Sequence, residues 1–180
     1  MMRKWLVVLI LLVGSLPMFA EEEKNDSGEN RELVYKVDIK DEIGPSIWRL
    51  VKRSFDRATD ENADVILVHM NTYGGMVVYA DSLRSLILNY PKPVWVFIDN
   101  NAASAGALIS IACDRIYMRE GANIGAATVV NQTGKAMPDK YQSYMRATIR
   151  STAEAQGYDT VYTVSGDTEV HWRRNPQIAE

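Results

Sequence analysis

The chain has 180 residues, of which 47% are hydrophobic and 24% charged, a balance typical of one globular domain with a core of its own. The formal net charge is −3, so no excess of cations is available for a nucleic-acid backbone, and we expect no nucleic acid among the partners. The single cysteine, Cys113, excludes an internal disulfide. The chain has only two histidines, and no cluster of Cys, His and carboxylate residues has the spacing of metal ligands. We therefore predict no metal and no cofactor.

The amino terminus has the pattern of a secretory signal peptide. Residues 1–20 contain Arg3 and Lys4, then the apolar run Trp5–Val13, and they end on a small residue suited to cleavage. The run is short for a bilayer span, which favours a cleaved signal over an uncleaved anchor. Residues 21–32 are polar and lack apolar periodicity, which predicts a flexible leader. We therefore expect export to the extracytoplasmic face of the cytoplasmic membrane.

From residue 33 onward, short apolar runs alternate with stretches of helical periodicity. Such an alternation predicts an α/β domain with a mainly parallel sheet and helical crossovers. In chain order the predicted strands are Leu33–Ile39, Val65–Met70, Val94–Ile98 and Arg115–Met118, followed by a Gly/Ala-rich loop and strand at Gly121–Val130. The predicted helices are one that opens at Gly44-Pro45, then Met76–Leu88, Ala102–Cys113 and Pro138–Gln156, the last closed by Gly157.

Two turns that follow buried strands carry residues suited to chemistry. In Asn71–Gly75 the paired glycines would let a ligand approach backbone N–H donors, although a plain strand-to-helix turn is the structural alternative. In Asn101–Ala107, Ser104 stands where free N–H groups and the helix dipole stabilise negative charge. Its small neighbours, such as Ala103 and Gly106, leave room for a substrate. A helix-capping serine among residues chosen for close packing is the alternative.

Lys140 is the third candidate. Asp139 and Gln142 have the spacing of a capping box, which would place Lys140 in the first turn of a helix. The dipole there disfavours a positive charge, so a buried lysine would have a lowered pKa and could act as the base for a serine. A solvated surface lysine is the alternative. Two competing bases are weaker: Lys135 lies in a turn and His69 lies within a strand, as a satisfied core or near-site histidine would.

Together these segments resemble the peptidase domain of the NfeD-type membrane-bound serine proteases, which is similar to ClpP and to signal peptide peptidase A. The resemblance runs from about Val34 to Gly157 and implies the ClpP/crotonase fold, a spiral of ββα units. The matching stretches are Tyr73-Gly74-Gly75, Ala102-Ala103-Ser104-Ala105-Gly106, Gly121-Ala122-Asn123-Ile124-Gly125-Ala126 and Pro138-Asp139-Lys140.

The resemblance implies a role for each matching position. Ser104 corresponds to the nucleophile and Lys140 to the general base of a Ser–Lys dyad, and the backbone N–H groups of Gly75 and Ala105 correspond to the oxyanion hole. The implied substrate groove consists of Gly74, Tyr73, Gly106, Ile124 and Gly125. Tyr73 stands where the family usually has proline, a change that would reshape the groove but spare the backbone donors.

The resemblance also implies a function, partners and domain limits. It implies a serine endopeptidase that cleaves apolar segments of membrane-associated proteins, such as a stomatin-like partner, and that works as a homo-oligomer. An inactive scaffold for a membrane partner is the alternative; a crotonase-like acyl-CoA enzyme conflicts with the secretory signal. The peptidase domain would cover residues 33–180, with an insertion at 158–172. It would be truncated at its C-terminus, with the membrane spans lying downstream.

Overall fold

The computed structural model of the chain describes residues 32–157. The predicted signal peptide, almost all of the predicted leader and the predicted insertion at 158–172 lie outside these residues. Within the described range, no helix combines the length and the apolarity that a membrane crossing requires.

The described residues form a parallel sheet whose strands alternate with helices. The sheet has the order β1-β2-β3-β4, β5 pairs with the far end of β3, and every pairing of strands is parallel. The predicted α/β class with a mainly parallel sheet is therefore confirmed. The strands are β1 (Val34–Ile39), β2 (Val65–Thr72), β3 (Val94–Ala103), β4 (Arg115–Met118) and β5 (Asn123–Gly125). The helices are α1 (Pro45–Asp60), α2 (Val77–Leu88), α3 (Ala105–Ala112) and α4 (Asp139–Ala155).

The strand alternation and the helical periodicity of the sequence explain how one core forms. Along β2, Val68 and Met70 are completely buried whereas His69 between them is half-buried, the alternation of a strand with one covered face. Helix α1 begins with proline at its first position and buries a stripe with helical spacing: Ile47, Val51, Phe55 and Ala58. Strand and helix residues join in a single cluster. Each large apolar side chain buried in this way contributes roughly 1.5–3 kcal/mol.

The ends of β2 and β3 differ from the sequence prediction in a way that shapes the site. Both strands are longer than predicted, because Thr72 pairs with Ala102 beyond a bulge and Ala102 pairs in turn with Ile124 of β5. The predicted helix start at Ala102 is therefore wrong, and α3 begins at Ala105. Within residues 32–157 the implied ββα unit occurs once, as β4-β5-α4, and the earlier elements alternate singly.

The predicted capping box of α4 is also wrong. Pro138 occupies the capping position and no side chain caps the helix. The Gln142 amide instead donates to the carbonyls of Val129 (2.8 Å) and Met137 (3.0 Å) and accepts from the Val129 N–H (2.9 Å). Gln142 therefore anchors the loop before α4, while Lys140 still lies in the first turn of the helix, as predicted.

Candidate functional site

Ser104 lies on the sharp turn between β3 and α3. Its backbone has φ 53° and ψ −112°, a conformation that costs a residue other than glycine about 1–3 kcal/mol. The N–H of Ser104 donates to the carbonyl of Gly125 (2.8 Å), and the Ser104 carbonyl accepts from Ala107 (3.0 Å). The half-buried side chain makes no hydrogen bond to any residue that the structure describes. A strained serine at a strand-to-helix turn is the arrangement by which hydrolases expose a nucleophilic hydroxyl.

The first of the paired glycines packs directly against this serine. A Cβ atom at Gly74 would lie 2.7 Å from the Ser104 Cβ and 3.3 Å from its Oγ, and Gly74 has φ 115°. Any side chain at Gly74 would therefore displace Ser104 and strain the backbone as well. The two turns that the sequence singled out separately meet at this contact.

Two backbone N–H groups beside Ser104 have no acceptor within residues 32–157. One belongs to Ala105, the first residue of α3, where helix geometry leaves the N–H unpaired. The other belongs to Gly75. The carbonyl of Gly74 accepts from the Ile43 N–H (2.8 Å), and no peptide bond is cis, so the Gly75 N–H points away from Ile43. The structure thus leaves both of these N–H groups without an acceptor among the described residues.

The residues predicted to line a groove separate into two groups. Tyr73 is 82% exposed and Ile124 is also exposed, while Gly125 has open space where a Cβ would stand. Gly106 is different: it is buried, and a Cβ there would lie 2.7 Å from Cγ2 of Thr72. The structure therefore assigns Gly106 to close packing, the alternative that the sequence left open, rather than to the groove.

Lys140 is exposed in the single chain, as in the alternative of a surface lysine that the sequence left open. Its Nζ atom lies 4.9 Å from the centroid of the Tyr141 ring. No hydrogen bond joins Lys140 to Ser104 among the described residues. The structure therefore brings Gly74, the neighbour of Gly75, against Ser104 but does not pair the serine with the lysine.

His69 is engaged in an ionic network within the sheet. Its Nδ1 lies 2.8 Å from a carboxylate oxygen of Asp38, and its Nε2 lies 3.6 Å from Asp99. The hydrogen bond from Lys36 holds the pKa of the Asp38 carboxyl well below its usual range. Both ring nitrogens of His69 face carboxylates, in agreement with the interpretation of His69 as a satisfied histidine. Lys135 is exposed in a turn, as predicted.

Residues 33–172 match the family described as NfeD1b, N-terminal domain. The chain belongs to this family. The membrane protein NfeD1b of Bacillus subtilis (strain 168) is 32% identical over 135 residues, covering 75% of this chain and 31% of the relative. The membrane-bound protease PH1510 of Pyrococcus horikoshii is 27% identical over 168 residues, covering 87% of this chain and 35% of the relative. The chain therefore spans about a third of the length of these curated relatives.

Solved structures place the NfeD1b-family chain in the ClpP-like fold. The 1510-N membrane-bound stomatin-specific protease, as a serine-to-alanine variant, superposes with a TM-score of 0.69 at 26% identity, covering 83% of this chain and 68% of its own. A lysine-to-alanine variant in complex with a substrate peptide gives the same TM-score. ClpP1 from Listeria monocytogenes gives 0.57 at 24% identity, covering 68% of this chain and 72% of its own, a likeness of fold alone. The chain is thus homologous to a membrane-bound protease of ClpP-like fold.

One residue of this NfeD1b-family site was missed by the sequence analysis. Thr72 is 2% exposed, and its hydroxyl donates to the carbonyl of Asp41 (2.8 Å) and accepts from the Gly74 N–H (3.2 Å). A threonine hydroxyl that bonds the N–H two residues ahead is a recurrent turn motif. The sequence Thr-x-Gly was therefore the signal that could have identified it.

Proposed function

We propose that this NfeD1b-family domain is a serine endopeptidase with Ser104 as its nucleophile. The observation that carries the proposal is the strained backbone of Ser104, whose hydroxyl makes no hydrogen bond among the described residues, beside the free N–H groups of Gly75 and Ala105. Strain of this kind persists where the surrounding structure holds it, and it concentrates at functional sites. Homology to a membrane-bound protease supports the same reaction class.

In the proposed reaction, Ser104 Oγ attacks the carbonyl carbon of the scissile peptide and forms a new C–O bond. The hydroxyl proton passes to the neutral Nζ of Lys140, and the N–H groups of Gly75 and Ala105 bind the oxyanion that develops. Collapse breaks the C–N bond, and the leaving amine takes the proton from Lys140. Water then hydrolyses the ester on Ser104 in the same two steps and restores the serine.

The proposed base must come within hydrogen-bond distance of Ser104 for this reaction, because no hydrogen bond joins the exposed Lys140 to Ser104 among the described residues. Catalytic hydrogen bonds often form only in the complex with substrate. Cover by a substrate or by a second subunit would also remove water from the amine, and desolvation favours its neutral form. We therefore infer that the active form is a homo-oligomer, a dimer or higher. An active, monodisperse monomer in light scattering would contradict this inference.

The proposed substrates are apolar segments of membrane-associated proteins. Large apolar side chains are exposed beside each part of the site: Tyr73, Met76, Val77 and Val78 after β2, Ile124 on β5, and Tyr141 and Tyr144 on α4. A stomatin-like protein is the proposed partner, since the homologous protease of known structure is stomatin-specific. The cleavage should take place at the extracytoplasmic face of the membrane. Profiling on a peptide library should show apolar residues flanking the cut, and enrichment of charged residues would refute this specificity.

A second candidate function is an inactive scaffold that binds a membrane protein. The exposure of Lys140 and its lack of a bond to Ser104 favour this candidate. A fluorophosphonate probe separates the two functions, because it reacts only with an activated serine. The peptidase should label, Ser104→Ala should not, and Ser143→Ala, which removes an exposed hydroxyl near Lys140 on α4, should label like the parent. A folded parent protein that takes up no probe, alone or with substrate, would support the scaffold.

A further inference from the structure

We propose that Thr72 is a positioning residue that fixes both donors of the oxyanion hole. The inference rests on the proposed peptidase function, because it assigns a task to Thr72 in that reaction. Thr72 touches no reacting atom: it is buried at the end of β2, two residues before Gly74. Its hydroxyl acts on the turn that carries Gly75, and its methyl group acts on the helix that carries Ala105.

The hydroxyl joins the loop after β1 to the turn after β2. It carries one proton, which is donated to the Asp41 carbonyl at 2.8 Å, while the 3.4 Å contact with the Gly74 carbonyl is the weaker of the two. Its lone pair accepts the Gly74 N–H at 3.2 Å. Removal of this hydroxyl would leave the N–H of the buried Gly74 without its acceptor and would release the Asp41 carbonyl from the turn.

These bonds determine the direction of the Gly75 N–H. The Gly74 N–H is held inward by Thr72, and the Gly74 carbonyl is held by the N–H of Ile43. Ile43 stands two residues after Asp41, so the Thr72 hydroxyl also holds the loop that supplies this second bond. With both ends of Gly74 fixed, the trans peptide directs the Gly75 N–H to the opposite side, where it is free.

The methyl group of Thr72 packs against Gly106, the residue that follows the other donor. Its Cγ2 atom packs so closely on Gly106 that a Cβ there would lie 2.7 Å away. Gly106 directly follows Ala105, whose N–H is the second donor of the proposed hole. Threonine therefore suits this position better than serine or valine: serine keeps the hydroxyl contacts alone, and valine keeps the methyl contact alone.

The test compares Thr72→Val with Thr72→Ser in two measurements. The first is the rate of fluorophosphonate reaction, separated into the probe's binding constant and its maximal rate of inactivation. Complete loss of one oxyanion donor costs on the order of a hundredfold to a thousandfold in rate, so misdirection of one donor should cost at least about tenfold in Thr72→Val. The binding constant should stay within about threefold in both variants, and Thr72→Ser, which loses only the packing on Gly106, should lose some of the rate but less than Thr72→Val, which loses the directional hydrogen bonds. No loss in Thr72→Val, or a larger loss in Thr72→Ser than in Thr72→Val, would overturn the proposal.

The second measurement is amide hydrogen exchange, which does not depend on activity. In the parent protein the Gly74 N–H should exchange slowly and the Gly75 N–H rapidly, and Thr72→Val should accelerate exchange at Gly74. Slow exchange at Gly75 with rapid exchange at Gly74 in the parent would overturn the positioning role even if Thr72→Val failed to fold. If the parent reacted with no probe, the peptidase function would fail, and the exchange pattern would still decide whether Thr72 fixes the turn.

Discussion

Gly74 and Ser104 are far apart in the sequence, yet a Cβ on the glycine would lie 2.7 Å from the Cβ of the serine. The contact exists because the parallel pairing of β2 and β3 brings their carboxyl ends to the same edge of the sheet. Ligand sites in open parallel sheets form at this edge. Glycine is thus required at position 74 for two reasons: a side chain would collide with Ser104, and the backbone has a positive φ.

Gly74→Ala should abolish reaction with a fluorophosphonate probe, because the new methyl group must push Ser104 out of its position. The expected loss is at least about a hundredfold, the scale seen when catalytic groups are misplaced by about 1 Å. Gly134→Ala is the matched control: Gly134 also has positive φ, but open space surrounds the place of its Cβ. Both variants carry backbone strain, and only Gly74→Ala should lose the reaction. Equal probe labelling of Gly74→Ala and Gly134→Ala would show that the contact between residue 74 and Ser104 does not cause the loss.

Ser104→Gly should be more stable than the parent protein, while it loses all reaction with the probe. The serine occupies a φ of 53°, which glycine adopts without the steric cost, so the gain should be about 1 kcal/mol. Ser104→Ala removes the same hydroxyl but keeps the Cβ and therefore the strain, and it should show no such gain. Urea unfolding of the three proteins measures this difference. A Ser104→Gly protein less stable than Ser104→Ala would show that the turn is not strained.

The elements on either side of Ser104 show which features could be predicted from the sequence and which could not. Apolar periodicity was enough to predict the sheet and the four helices, whereas the segments of the candidate site were identified from their residue types and from the family resemblance. It did not predict that β3 continues through Ala103, because that extension depends on pairing with β5, a partner distant in sequence. The capping box before α4 failed for a related reason: Gln142 finds tertiary partners in Val129 and Met137 that local spacing does not reveal.

If the proposed dyad is correct, Lys140→Ala should remove peptide cleavage and Lys140→Arg should not restore it. Arginine keeps the positive charge but does not lose its proton in a protein, so it cannot accept one from Ser104. His69→Gln should retain much of the activity, because the histidine is bound to Asp38 within the sheet. Turnover of a peptide substrate by the folded variants is the measurement. Full turnover in Lys140→Arg, or complete loss of turnover in His69→Gln, would contradict the Ser–Lys dyad and support a mechanism in which a histidine is the base.

The contribution of Asp38 to stability should disappear in acid. Folding brings the Asp38 carboxylate to hydrogen bonds with Lys36 (2.8 Å) and His69 (2.8 Å), and the pKa of Asp38 is lowered in the folded protein. An aspartate in the unfolded chain has a pKa of about 3.9. Below about pH 4 the unfolded chain therefore binds a proton that the folded protein does not, and the free energy of unfolding falls with pH.

Asp38→Asn tests this effect, because the variant has no carboxylate to protonate at this position. The difference in unfolding free energy between parent and variant should be largest at neutral pH and should shrink as the pH falls below about 4. It should also shrink at high salt, because the carboxylate is 45% exposed and its ion pairs are screened. Urea unfolding at pH 7, 5 and 3 tests both statements. A difference that stayed constant across this range would show that the pairs with Lys36 and His69 do not stabilise the sheet.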